Sequence, residues 1–320
     1  MQDLKTIFRH CTRVMEQDGV YTPVRFSDER LRVYREEKPE CPYACCPVGM
    51  SMEFKTDAEK ISFSYRMTKI YYPVIVFDIY ENGLFMRAVR EPDGSESGTV
   101  EYTLQTPGAV VEIFFPIGAD VTFFDIRIGK FTTVSHAHEP KLLVLGDSIS
   151  QGLFGVNPSV SVIPLLARHY GYDYLNLSVG GEVFRPDLVE PELAFAPDRI
   201  LVELGTNDLV FVQDIHKIRK NIDAFFAELK RRFPDTPVTV VSPFWQIVFA
   251  EGTDEMDGKL RTTLLIGEHA RKVAAEYGHT ALDGMQLIPH EQEFFSDHAH
   301  PSDKGFAYLA LELIRRLDWR

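Results

Sequence analysis

The chain reads as two architectures in succession: an all-β sandwich, then an α/β unit built on a parallel sheet. Three observations predict this. Over much of residues 20–130 apolar residues alternate singly with polar ones, the pattern of strands with one buried face. From Lys141 onward short apolar runs alternate with segments of helical period, the succession that builds βαβ units. The first of those runs, Lys141-Leu-Leu-Val-Leu145, is almost wholly apolar, as a strand covered on both faces must be. The expected division is residues 1–137 for the sandwich and 138–320 for the α/β unit.

In the first part, Met50, Met52 and Phe54 alternate with Ser51, Glu53 and Lys55, and Ile61, Phe63, Tyr65 and Met67 with Ser62, Ser64 and Arg66. Further strands are expected at 73–80, 84–89, 99–104, 110–115 and 121–128, punctuated by turns such as Glu81-Asn82-Gly83 and Pro107-Gly108. Residues 130–140 have no clear period and read as a connector; His136-x-His138 fits a polar link better than a metal site. Asp78, Tyr80 and Arg87 read equally well as solvated face residues.

The second part predicts strands at 141–145, 172–179, 199–204 and 237–241, with a weaker one at 280–287. Helices are expected at 159–170, 214–233, 259–277 and 302–317. The second of these is strongly amphipathic, with Ile215, Ile218, Ile222, Phe225, Phe226 and Leu229 on one face.

Composition narrows the partners. With 34 basic and 47 acidic residues the formal charge is −13, which argues against nucleic acid or an anionic membrane as the main partner. No basic segment leads into an apolar one at the N-terminus and no run reaches membrane-span length, so a cytoplasmic location without a membrane span is expected. Self-association is left open. Of the four cysteines, Cys41, Cys45 and Cys46 cluster in Cys-Pro-Tyr-Ala-Cys-Cys-Pro, with Cys11 upstream. Free thiols are expected, because a metal set of Cys41 and Cys45 with Cys11 or His10 matches no zinc spacing well.

Chemistry is concentrated in four segments at predicted strand ends or before a helix. Asp147-Ser148 follows the apolar strand and Gly146, at the edge where open α/β sheets bind ligands. Asn176-Leu-Ser-Val-Gly-Gly181 offers a glycine N–H unobstructed by a side chain. Gly205-Thr-Asn-Asp208 puts an amide at a strand tip, and Asp297-His-Ala-His-Pro301 is a polar loop before the last helix. Each segment alone has a dull reading as a turn or a cap; the set in order does not. Acyl transfer needs a nucleophile, a base, an orienting acid and oxyanion donors. Ser148 is the candidate nucleophile, His300 the base and Asp297 the group that fixes its tautomer. The N–H groups of Ser148 and Gly181 and the Asn207 amide are the candidate oxyanion donors. His300 precedes Pro301 and is three residues from Asp297; His298, adjacent to Asp297, is expected to point elsewhere.

These four segments, Gly-Asp-Ser-Ile, Gly181, Gly-Thr-Asn-Asp and Asp-x-x-His-Pro, resemble the four blocks of the SGNH (GDSL-type) hydrolase superfamily from Lys141 to the C-terminus. The resemblance implies a flavodoxin-like three-layer fold, the same residue roles and no metal or cofactor. The absence of a Gly-x-Ser-x-Gly elbow argues against the α/β-hydrolase fold. The first 135 or so residues are similar to the jelly-roll domain that precedes the hydrolase in a bacterial subgroup. There Val76-Phe-Asp-Ile-Tyr80 resembles a Gly-x-Asp-Leu-Tyr signature, departing from it at the glycine. Such proteins are often carbohydrate esterases that remove acetyl groups, some with a Ser-His pair alone; Asp297 makes a full triad the expectation here.

The leading expectation is a serine esterase cleaving a small acyl ester, most plausibly O-acetyl on a carbohydrate. The alternatives are a lysophospholipase or thioesterase, with Leu153, Phe154, Phe184 and Trp245 as acyl-pocket candidates, and a glycan-binding protein with an inactive hydrolase domain. A third reading, metal-dependent hydrolysis through Asp297, His298 and His300, predicts sensitivity to chelators.

Overall fold

Alternation decides the first half of the molecule. The structure, a computed structural model, describes residues 3–190 and 193–319. The strand Lys60–Ile70 turns Ile61, Phe63, Tyr65 and Met67 inward, and Ser51–Thr56 does the same with Met52 and Phe54. Two antiparallel sheets face each other across these side chains. The six-stranded sheet runs Phe8–Arg9, Ser51–Thr56, Val110–Phe114, Val76–Glu81 and Leu84–Arg90, with Phe131–Thr132 also paired to Ser51–Thr56. The five-stranded sheet runs Arg13–Gln17, Val20–Val24, Ala119–Arg127, Lys60–Ile70 and Ser97–Thr103. Phe63 of one sheet packs edge-on against Phe77 of the other at 5.4 Å. Burying a ring of this size is worth about 1.5–3 kcal/mol, so the aromatic centre does much to hold the sheets together.

The second half is a parallel sheet of five strands in the order Asp173–Asn176, Lys141–Gly146, Arg199–Glu203, Val238–Val241 and Thr280–Leu282. That order is the flavodoxin-like one. The strand Lys141–Gly146 alternates between two cores: Leu142 and Val144 pack under Val162–Tyr170 and Asp303–Arg316, while Leu143 and Leu145 face Ile215–Arg232 and Asp254–Glu276. The helix expected from 259 begins earlier, at Asp254, because Thr253 caps it by accepting from the Met256 N–H.

The expectation of strands through residues 20–130 needs one correction. Residues 28–36 form the helix Asp28–Glu36, followed by a single 3₁₀ turn, Pro42–Cys45. Ser27 caps the helix by accepting from the Arg30 N–H, and Asp28 and Glu29 favour its N-terminus. Leu31, Tyr34, Cys41 and Ala44 join the core formed by Leu143, Leu175 and Phe184. The excursion therefore packs on the parallel sheet, although it lies early in the chain.

Polar contacts join the two halves elsewhere. Asp78, fully buried, accepts from the Asn157 amide (2.9 Å) and from the N–H (3.0 Å) and hydroxyl (2.7 Å) of Ser159, while Tyr80 donates to the same hydroxyl at 2.9 Å. Asp78 and Tyr80 are thus an anchor and not solvated face residues. Arg9 bridges Glu53 and Asp173, each at 2.9 Å, and the His136 ring is held between Glu53 and Glu139. His10 stacks on Tyr174 at 3.8 Å.

Burial, with Glu112 close by, raises the Glu53 pKa to about 7 against the opposing pull of Arg9. An unfolded glutamate titrates near 4.3, about the usual value, so the folded chain holds this proton more tightly and Glu53 stabilises less as pH rises through about 7. The midpoint of thermal unfolding of the wild type should therefore fall from about pH 4 to about pH 7, and Glu53→Gln should flatten that slope. Equal slopes in the two proteins would show that Glu53 does not govern it.

Candidate active site

The nucleophile candidate owes its position to a strand that ends on glycine. A Cβ on Gly146 would lie 2.8 Å from both Ser150 Cβ and Ser178 Oγ, so no larger residue fits the turn. Asp147 caps the short helix Ser148–Gln151 by accepting from the Ile149 N–H at 2.9 Å. Ser148 opens that helix, where the first backbone donors have no partner within the helix.

The base candidate sits in a tight turn. Phe295 bridges to Pro301, and the Ser296 N–H donates to His300 O at 2.9 Å. Inside the turn Asp297 Oδ1 accepts from the N–H of Ala299 (2.8 Å) and of His300 (2.7 Å). Its Oδ2 lies 2.8 Å from His300 Nδ1, and His300 Nε2 lies 2.9 Å from Ser148 Oγ. With the ring proton on Nδ1 facing Asp297, the Nε2 lone pair is left to accept from the serine hydroxyl. Burial would raise the Asp297 pKa, but the hydrogen bonds from the His300 ring and from the two N–H groups outweigh it and hold the carboxyl below its usual range. His298 is exposed and contributes its carbonyl, which accepts from the Val248 N–H at 3.2 Å.

The donor candidates are held from behind. Gly181 has φ +90, and a Cβ there would come within 2.1 Å of Glu40 O. The neighbouring Gly180 N–H is already engaged, donating to Gln151 Oε1 at 2.6 Å. Asn207 stands at the start of the helix Asp208–Phe211 without capping it. Its amide nitrogen instead donates to Glu182 O at 3.1 Å and, at the longer distance of 3.5 Å, to Asp147 Oδ2.

Carboxyl groups line the underside. Asp147 and Glu203 are both buried, and Glu203 Oε2 accepts from the Ser150 hydroxyl at 3.0 Å. Burial raises both pKa values, and the charge on Asp147 lifts Glu203 further. Burial also pushes Asp208 up to about 8, although it accepts from the Phe184 N–H.

Above Ser148, Asn207 and His300 opens a cavity of about 440 Å³ with Leu209, Val210, Val248, Phe249 and Met256 in its walls. None of the four apolar residues singled out in the sequence lines it. Leu153 packs with Cys46, Val48 and Ile117, Phe184 belongs to the main core, and Trp245 stacks on His290 at 3.9 Å. Phe154 adopts φ +67, uncommon for a bulky residue, and lays its ring on the His300 imidazole at 4.3 Å, with Tyr72 of the sandwich behind it at 5.5 Å. The four cysteines are free thiols, and among the described residues no three His, Cys, Asp or Glu side chains converge as a metal site.

Sequence reasoning missed Gln151 and Glu182, which act through contacts distant in sequence, and assigned Phe154 to an acyl pocket whereas its ring lies on His300.

The fold and this constellation define a class, the ester hydrolases that act at the carboxyl edge of a parallel sheet. Residues 144–308 match the GDSL-like Lipase/Acylhydrolase family, and the chain belongs to it. It is a carboxylic ester hydrolase. No curated protein sequence matches. Among solved structures it is similar to the salicylyl-acyltransferase SsfX3 from a tetracycline biosynthetic pathway (TM-score 0.76, 19% identity, 96% of this chain and 92% of that one). It is also similar to a family two carbohydrate esterase from Clostridium thermocellum (0.62, 16%, 93% and 98%). An acetyl xylan esterase from the rumen bacterium Butyrivibrio proteoclasticus gives 0.58 at 15% identity over 97% and 98% of the two chains. At such identities the likeness is one of fold, and it extends over both halves.

A methyl group at Gly181 would meet a backbone carbonyl that has nowhere to go, in a backbone region that disfavours side chains. Gly181→Ala should cost roughly 3 kcal/mol of stability and at least 100-fold in esterase activity. Activity within a few fold of wild type would show that this glycine is not needed as glycine.

Proposed function

We propose that the chain is a serine esterase in which Ser148, His300 and Asp297 form the triad, and that it cleaves a small acyl ester, O-acetyl on a carbohydrate in the leading case. The unbroken chain of hydrogen bonds from Asp297 through His300 to Ser148 carries this reading. Ser148 Oγ attacks the ester carbonyl carbon while His300 Nε2 takes the hydroxyl proton. The carbonyl π electrons move onto oxygen, where the N–H groups of Ser148 and Gly181 and the Asn207 amide receive the charge. Collapse expels the alcohol, which leaves with the proton from His300, and the acyl group stays on Ser148. Water then repeats the sequence: His300 takes its proton, the carboxylic acid departs and Ser148 regains its hydrogen. Asp297 holds the imidazole and offsets its positive charge.

The acetyl assignment draws on the two-part architecture shared with the carbohydrate esterases named above. A second reading is favoured by the cavity walls. Leu209, Val210, Val248, Phe249 and Met256 suit a longer or aromatic acyl group, as a lysophospholipase, a thioesterase or an acyl transferase would need.

Ser148→Ala should lower kcat for p-nitrophenyl acetate by about 10⁴-fold or more, and Asp297→Asn by about 10⁴-fold. Unchanged turnover in Ser148→Ala removes the nucleophile assignment, whereas a wild type that turns over no ester leaves the glycan-binding alternative. Acetate release from acetylated sugars, set beside p-nitrophenyl esters of increasing chain length, separates the two substrate readings. A preference for eight or more carbons, about a medium chain, would overturn the acetyl assignment.

A further inference from the structure

The excursion from the sandwich reaches the back of the donor site. Arg25, just past the strand Val20–Val24, is fully buried and donates to four backbone carbonyls. Its Nη1 reaches Asn176 O (2.6 Å) and Ser178 O (2.9 Å), on the loop that leads to Gly181. Its Nε and Nη2 reach Cys46 O (3.1 Å) and Ala44 O (3.3 Å), on the 3₁₀ turn of the excursion. Such a guanidinium, with its donors in a fixed plane, sets the distance between two loops more firmly than a point charge would.

Gln151 ties the same two segments from the other side. It ends the helix that Ser148 begins, is fully buried, accepts from the Gly180 N–H at 2.6 Å and donates to Tyr43 O at 2.9 Å. Asn176 adds a third stitch, donating to Ser150 O at 2.8 Å. Behind Gly181 stands Glu40 O, close enough to exclude any side chain. Beyond it, Tyr34 donates to Glu182 at 2.8 Å, and Glu182 is the residue whose carbonyl receives the Asn207 amide. Four of these supports of the second and third donor candidates, those from Arg25, Tyr34, Glu40 and Gln151, thus run through residues 25–46 or through Gln151.

We propose that the Arg25–Cys46 excursion is the rear wall of the oxyanion site, with Arg25 and Gln151 as positioning residues that aim the Gly181 N–H. This rests on the serine esterase reading above and adds to it. Gln151 occupies the Gly180 N–H and so turns the peptide in such a way that Gly181 presents the next one; Arg25 fixes the loop along its length. Neither residue touches substrate. Both act on transition-state stabilisation, because the donors matter most when charge develops on the carbonyl oxygen.

Gln151→Leu removes both bonds at similar volume. With p-nitrophenyl acetate, kcat should fall roughly 10- to 100-fold while KM changes less than about twofold. The inhibition constant of phenylboronic acid, which forms a tetrahedral adduct with the serine, should rise by the factor by which kcat/KM falls. Gln151→Glu keeps the shape and the acceptor for Gly180 but sets an oxygen against the Tyr43 carbonyl. It carries the same test, with a loss in kcat of about tenfold, should the leucine variant not fold. Arg25→Lys, with fewer donors, should behave likewise. A folded Gln151 variant with wild-type kcat, or one whose loss lies in KM with boronate affinity unchanged, overturns the proposal. Full activity in Ser148→Ala would instead overturn the esterase reading on which it rests.

Discussion

A parallel sheet delivers the carboxyl ends of all its strands to one edge, and the chemistry here depends on that constraint. The strands ending at Gly146, Asn176 and Glu203 lie side by side, so the loops that follow them open into one space. Segments far apart in the chain meet there without any long connection having to fold back for the purpose. The last contributor, the turn bearing Asp297 and His300, reaches the same edge just before the final helix Asp303–Arg316 packs under the sheet. Geometry within each loop then does the fine work. Asp147 caps a short helix, Asp297 organises a turn of four residues, and Asn207 declines the capping role its position suggests.

The interior beneath the serine is unusually polar for a protein core. Asp147, Glu182, Glu203 and Asp208 are all buried, and removing carboxylates from water is costly unless hydrogen bonds or protons compensate. Glu182 pairs with Arg185 at 2.8 Å, while burial raises the pKa of Asp147, Glu203 and Asp208 and so favours their protonated forms. These groups hold the N–H-bearing loops by accepting from Ile149, Ser150 and Phe184. Rigid donors are what a developing oxyanion needs, and a purely apolar floor could not anchor them.

Much of this was legible in the residue order. Period-two alternation located the sandwich strands, the apolar run at Lys141 announced a strand buried on both faces, and the spacing from Asp297 to His300 gave the turn. The contacts that support the site were not legible, and the reason is physical. Arg25, Tyr34 and Gln151 act through partners on other elements, chiefly backbone carbonyls, which carry no residue-specific signature. The helix Asp28–Glu36 did have a local signal in Ser27 with Asp28 and Glu29, but only Leu31 and Tyr34 mark its buried face, too few to stand out against surrounding strands. The cavity walls were misread for a related reason: Leu153, Phe184 and Trp245 are near the site in sequence and buried away from it in space.

The embedded excursion has a consequence for how the molecule comes into being. Synthesis runs from the N-terminus, so Leu31, Tyr34 and Ala44 leave the ribosome well before the parallel sheet they pack against exists. Through that interval the nascent chain carries an apolar ridge and a guanidinium still without two of its four carbonyls, those of Asn176 and Ser178. The sandwich has a core of its own to complete meanwhile, but this ribbon must wait for its host. A gene cut at the connector would therefore separate the parallel sheet from part of its own interior.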